Sequence, residues 1–119
     1  MRVFEFRRDC AQPITLFDSR GALSVALASG HGEAHVHCVF IDAGGSIGEH
    51  EAGFGQLFLV VEGSGWAAGA DGVRVALRAG QGAHFECGER HAKGSEQGMT
   101  AIMVQVAELQ PNVALANVR

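Results

Sequence analysis

Long apolar runs are missing from this 119-residue sequence. None approaches the roughly 18 consecutive residues a membrane span requires, so no membrane partner is expected. Cysteine is sparse and odd in number: Cys10, Cys38 and Cys87 include no Cys-x-x-Cys pair, which argues against both a disulfide framework and a thiolate zinc site. Positive charge is scarce too. Nine scattered Lys and Arg against thirteen Asp and Glu give a net charge of −4, leaving no basic stripe for phosphates and no expectation of nucleic acid as a partner. The opening MRVFEFRRDC alternates apolar and charged residues where a secretory signal would carry a continuous apolar segment, so a cytoplasmic location is expected. A chain of this length is expected to form one domain, 1–119, burying about two thirds of its unfolded surface.

What the sequence does have is punctuation. Seventeen glycines and only two prolines cut it into short apolar runs, too short for ordinary helices. These runs alternate or are β-branched: Ala34–Ile41 (AHVHCVFI), Leu57–Val61 (LFLVV), Val73–Leu77 (VRVAL) and Thr100–Val106 (TAIMVQV). Each reads as a strand. Ala70-Asp71-Gly72 carries the Asp-Gly pair that tolerates positive φ in a tight hairpin, which places a hairpin near Asp71. A second reversal is expected at Glu62-Gly63-Ser64-Gly65, and Ala43-Gly44-Gly45-Ser46 is expected to end the strand before His50. Regular strands and turns predict an all-β protein, an antiparallel double-sheet β-barrel or jelly roll. Residues 1 to about 12 and the tail after Leu109 are expected as arms or extra edge strands. An edge strand of a small barrel is commonly covered by a second copy of the chain, so a homodimer is the expected assembly.

Two stretches resemble the paired motifs of the cupin superfamily. The first family motif, G-x5-H-x-H-x(3,4)-E-x6-G, lies over residues 44–63 without gaps. Gly44 opens it, His50 is the first histidine, Ala52 stands at the second, Gln56 takes the glutamate position and Gly63 closes it. The second, G-x5-P-x-G-x2-H-x3-N, lies over residues 80–95: Gly80 opens, Glu86 replaces the proline, Gly88 is kept, His91 matches the histidine and Ser95 replaces the asparagine. The resemblance implies a small single-domain cupin barrel with a partly substituted ligand set. It implies a divalent transition metal (zinc, nickel, iron or manganese) held by His50, Gln56 and His91, and a small anionic or polyoxygenated molecule as substrate or ligand.

Strand geometry bears on that set. Residues two apart share a face, so His50 and position 52 point together, and with Ala52 there one ligand is absent. Two imidazoles and an amide bring no negative charge, so a cation's full +2 would remain uncompensated inside the barrel without hydroxide or an anionic ligand. Gln56 is equally a candidate for hydrogen-bonding a carboxylate or carbonyl. His35 with His37, and His84 with Glu86, share strand faces and are further candidates, Glu86 as a general base. Phe54, Phe58, Phe85 and Trp66 read as core or pocket lining. Gly63-Ser64-Gly65 lacks the pattern of a nucleophile elbow. Three function classes remain: a metal-dependent oxygenase, isomerase or lyase; a binding or sensing barrel without turnover, with or without metal; and a dimerisation unit.

Overall fold

The computed structural model describes residues 1–112, 114 and 115. Ten strands follow in order: β1 (Arg2–Glu5), β2 (Gln12–Pro13), β3 (Leu23–Ser24), β4 (Ala28–Ile41), β5 (Ser46–Glu51), β6 (Gly55–Ala68), β7 (Arg74–Arg78), β8 (Gln81–Phe85), β9 (Arg90–Gly94) and β10 (Met99–Pro111). A 3₁₀ turn at Arg8–Cys10 is the one helical element among the described residues, and no helix is long and apolar enough to cross a membrane. All pairings are antiparallel. One layer runs β1-β8-β6-β10-β4, while β5, β9 and β7 form the other with the far end of β6. The all-β double-sheet barrel expected from the glycine punctuation is therefore the fold. β2 and β3 make a separate two-stranded ribbon.

The turns follow the glycines, with one correction. Gly72 N–H donates to Gly69 O, and Val73 N–H to Asp71 Oδ1 at 2.9 Å, closing the β6–β7 hairpin where Asp71-Gly72 placed it. Gly44 has φ +81, and Gly45 N–H donates to Asp42 O, ending β4. The segment Glu62-Gly63-Ser64-Gly65, however, does not reverse the chain. β6 continues through it, paired with β10 up to Gly63 and with β7 from Ser64 onward. One strand thus passes from the first layer to the second. The glycines are there for closeness: a Cβ on Gly63 would lie 2.3 Å from Gly98 O, and one on Gly65 2.2 Å from Gly94 O. The register also slips between Thr100 and Ala101, leaving Val61 as a bulge, which lets the strand bend between layers.

Alternation sorts side chains into two cores. Between the layers pack Val3, Ile41, Phe58, Val60, Ala67, Leu77, Ala83, Phe85, Met99 and Ala101. On the outer face of the first layer a smaller cluster of Phe4, Leu57, Leu59 and Leu115 is covered partly by Phe6, Val25 and Leu27 from the N-terminal segment. The two faces of β6 feed both, Phe58 and Val60 inward, Leu57 and Leu59 outward. β1 pairs with β8 as one end of the sheet, and β10 carries the chain to Pro111. Of the arm expected after Leu109, residues 113 and 116–119 lie outside the described residues.

Candidate functional site

The site is assembled by three strands. β5 and β9 pair with His50 opposite His91, and in β6 Gln56 is on the face that carries Phe58 and Val60 into the barrel. Past the β5–β9 pair, the segment around Ala52 is tied to the loop before β9 by backbone bonds, Ala52 N–H to Glu89 O and Gly88 N–H to Ala52 O, and by Cys87 Sγ donating to Gly53 O at 3.3 Å. At the position of the family's second histidine there is thus a buried methyl group.

His91 is fully buried and Gln56 is 1% exposed, whereas His50 is exposed to solvent. The rings of His50 and His91 lie with centroids 4.4 Å apart, and Phe85 flanks His91 on a 4.4 Å contact. His50 Nδ1 donates to Gly48 O at 2.8 Å, because a carbonyl oxygen can only accept. The three residues proposed as ligands therefore occupy one neighbourhood, but His50 sits at its wet edge.

A residue outside the expected set stands at the centre. Lys93 is 1% exposed, and its Nζ donates to Gln56 Oε1 at 2.5 Å and lies 2.9 Å from His91 Nδ1. The rings of Phe58 and Phe85 have their centroids 5.0 and 4.9 Å from the same nitrogen, within the range where a cation is attracted to a ring face. Burial lowers the Lys93 pKa to about 7. The His91 pKa falls to about 4, first through burial, then through the Lys93 charge and His50. His91 is thus neutral at pH 7. With Nδ1 accepting from Lys93, its proton is on Nε2, which is buried without a hydrogen-bond partner. A donor left unmade in a protein interior costs about 1–3 kcal/mol, so an oxygen acceptor placed there is stabilised. Lys93 was detectable in the sequence by one signal: it follows His91 by two on a strand and so shares its face.

On the two atoms that face Lys93 the donor set does not suit a divalent cation. The Gln56 oxygen and His91 Nδ1 already accept from the Lys93 amine, whose own charge would oppose a second cation. Among the described residues no group of three His, Cys, Asp or Glu is placed to hold a metal.

The remaining candidates divide by face. His35 and His37 share the face of β4 that carries Val39 and Ile41 into the inner core, so they line the open end of the barrel. The His35 ring stacks on Phe54 at 5.9 Å and bonds Glu33 at 2.6 Å. His84 is turned the other way, paired with Leu57 and Arg2 while its neighbours Ala83 and Phe85 point inward. Glu86 is exposed in the turn after β8, where its backbone N–H donates to Glu89 Oε1. Ser95, at the family's asparagine position, is a loop anchor: Oγ donates to Ser64 O and accepts from Gly98 N–H. Phe58 and Phe85 are core as expected, and Trp66 is half-buried, lining a surface cleft with the Arg74 guanidinium 3.8 Å above its ring.

A cleft of about 640 Å³ is lined by Trp66, Arg74, Arg78, Gln81, Glu96 and neighbours, and includes none of His50, Gln56, His91 or Lys93. The chemistry belongs with the latter four, because buried polar groups converge there, while Arg74, Arg78 and Glu96 at the cleft are solvated.

No protein-family model matches the chain, and no curated protein matches it. Solved structures do. A cupin superfamily protein from Desulfitobacterium hafniense superimposes with a TM-score of 0.59 at 13% identity, covering 91% of this chain and 100% of that one. A Cupin 2 conserved barrel domain protein from Salinispora arenicola gives 0.57 at 19% identity, over 85% and 80%. A protein described as a predicted oxalate decarboxylase from Thermotoga maritima gives 0.55 at 18% identity, over 86% and 97%. These identities carry the fold, and the fold alone leaves the chemistry open. The chain is a small barrel of the cupin fold.

Proposed function

We propose that this protein is a binding or sensing barrel that takes up a small anionic or polyoxygenated molecule without a metal. One observation carries the reading: the Lys93 amine, buried and bonded to Gln56 and His91, where the family resemblance called for a cation. An interior ammonium, an unpartnered His91 N–H and the exposed His35, His37 and His50 at the open end favour carboxylate or other oxygen-rich ligands. The likeness to a predicted oxalate decarboxylase points to the same ligand class, small carboxylates, as the first to test.

The test has two parts. Untagged protein analysed for metal should contain none in stoichiometric amount, and small mono- and dicarboxylates should raise its unfolding temperature in a concentration-dependent way. Lys93→Met should abolish that rise. Stoichiometric zinc, nickel, iron or manganese in the wild type, lost in His91→Ala, would favour the metal-dependent enzyme instead.

We propose further that the homodimer forms through β4. It ends the first layer, and among the described residues its outer backbone edge has no strand partner. Its sequence Ala34-His35-Val36-His37-Cys38 is nearly symmetric about Val36, so an antiparallel second copy sets apolar residues against apolar and histidine against histidine.

A further inference from the structure

We infer that Lys93 stands in for the metal of this barrel and is the residue that decides what the site accepts. The inference rests on the metal-free reading above and deepens it.

Two acceptors from different strands, Gln56 Oε1 and His91 Nδ1, converge on Nζ at 2.5 and 2.9 Å. A zinc ion takes such donors at about 2.0–2.2 Å. Each side chain is thus within less than an ångström of a coordinating distance to the point that the lysine nitrogen holds. The arrangement is that of a coordination site whose centre is a covalently attached monocation. Phe58 and Phe85 close two further sides, with their ring centroids 5.0 and 4.9 Å from the amine nitrogen. The bonds of the Lys93 amine go to two neutral acceptors, Gln56 Oε1 and His91 Nδ1. That explains why Gln56 can stand where the family has glutamate: beside a metal the carboxylate supplies needed negative charge, whereas beside one ammonium a neutral amide oxygen suffices.

The chain length of position 93 makes this testable. A glutamate carboxylate oxygen is as many bonds from the backbone as the lysine Cε, one atom short of Nζ. A metal bound to that oxygen would therefore sit close to the present Nζ position, with Gln56 and His91 completing a carboxylate, amide and imidazole set. Lys93→Glu should convert the site from one that excludes divalent cations to one that binds them, while Lys93→Met, similar in volume and without a donor, should not.

The probe is Co²⁺ alone, read by visible absorption and by thermal shift. The wild type and Lys93→Met should show neither signal. Lys93→Glu should bind one equivalent at least about tenfold tighter than the wild type, and Lys93→Glu combined with His91→Ala should lose that binding. If Lys93→Glu is unfolded without metal, recovery of its β-type circular dichroism on adding Co²⁺ gives the same answer, and Lys93→Gln, which places a neutral amide oxygen at the same reach, should bind Co²⁺ more weakly than Lys93→Glu but better than the wild type. A folded Lys93→Glu that binds no better than the wild type overturns the inference and leaves the metal-free reading standing. So does an unfolded one that cobalt does not rescue, if Lys93→Gln also binds nothing. Stoichiometric cobalt binding by the wild type overturns both.

Discussion

β4 and β6 are both 14 residues long and both rich in apolar side chains, yet their environments are opposite. In β6 every residue from Gly55 to Val60 is buried, because the strand has a hydrogen-bonded neighbour on each side and a core on each face. In β4 every residue from Ala28 to Cys38 is exposed, and Phe40 farther along remains 73% exposed. The difference comes from position in the sheet and not from composition. A strand in the middle has its apolar content used twice; a strand at the end can use one edge and at most one face. The polar residues follow the same rule. Gln56 on β6 must be satisfied from inside, and Lys93 satisfies it, while His35 and His37 on β4 are solvated at the open end.

The largest effect that separates the two strands is a phenylalanine truncation. Phe58→Ala removes a ring that is fully buried among the inner core and should cost about 3–5 kcal/mol in urea unfolding. Equal sensitivity to Phe40→Ala in dilute protein would break the comparison.

Next comes pH, which probes the buried end alone. The Lys93 pKa is lowered in the fold to about 7 by burial, so between that value and its ordinary range the unfolded chain holds a proton the folded one lacks. Stability must then rise with pH, by about 1.4 kcal/mol per unit and about 2 kcal/mol in total by roughly pH 9. It is lost again as pH falls back through 7. His91, lowered to about 4, acts with the same sign in acid: stability declines as pH drops below the ordinary histidine range and levels off only under pH 4. Lys93→Met should flatten the alkaline rise and leave the acid limb. A wild type whose unfolding midpoint is unchanged between pH 7 and 9 would show that the amine is not held as described.

How much of this was legible beforehand follows from range. Strands announced themselves locally, through alternation in Ala34–Ile41 and β-branched content in Leu57–Val61, and the Asp71-Gly72 hairpin through its own backbone chemistry. Gly63 and Gly65 read in sequence as a reversal, since a glycine demanded by a close neighbour looks the same there as one demanded by a turn. Their partners, Gly98 and Gly94, are some thirty residues away. His50, Gln56 and His91 were brought into one neighbourhood by motif spacing, but spacing says nothing of who occupies the space between them. Lys93 was passed over because a lone lysine on a strand is ordinarily solvated. The face it shares with His91 is the one local signal against that reading, and its bonds to Gln56 and His91 between Phe58 and Phe85 give the outcome.

The smallest effect on the fold, and the sharpest on assembly, belongs to Val36. It is 66% exposed at the centre of the β4 edge, so in an isolated chain Val36→Lys should change stability by no more than about 0.5 kcal/mol. In a dimer built by β4 pairing antiparallel with its own copy, the same change brings two ammonium groups face to face across a two-fold axis, an arrangement that like-charge repulsion opposes. The two expectations separate cleanly by dilution. Sedimentation of the wild type should show a dimer that dissociates as protein is diluted, with an unfolding midpoint that rises with concentration. Val36→Lys should sediment as a monomer at every concentration and unfold at the wild type's dilute-limit midpoint. A wild type that is monomeric throughout, or a Val36→Lys variant that still dimerises, would mean that β4 stays solvated by virtue of its histidines and glycines, and that its apolar outer face needs no cover.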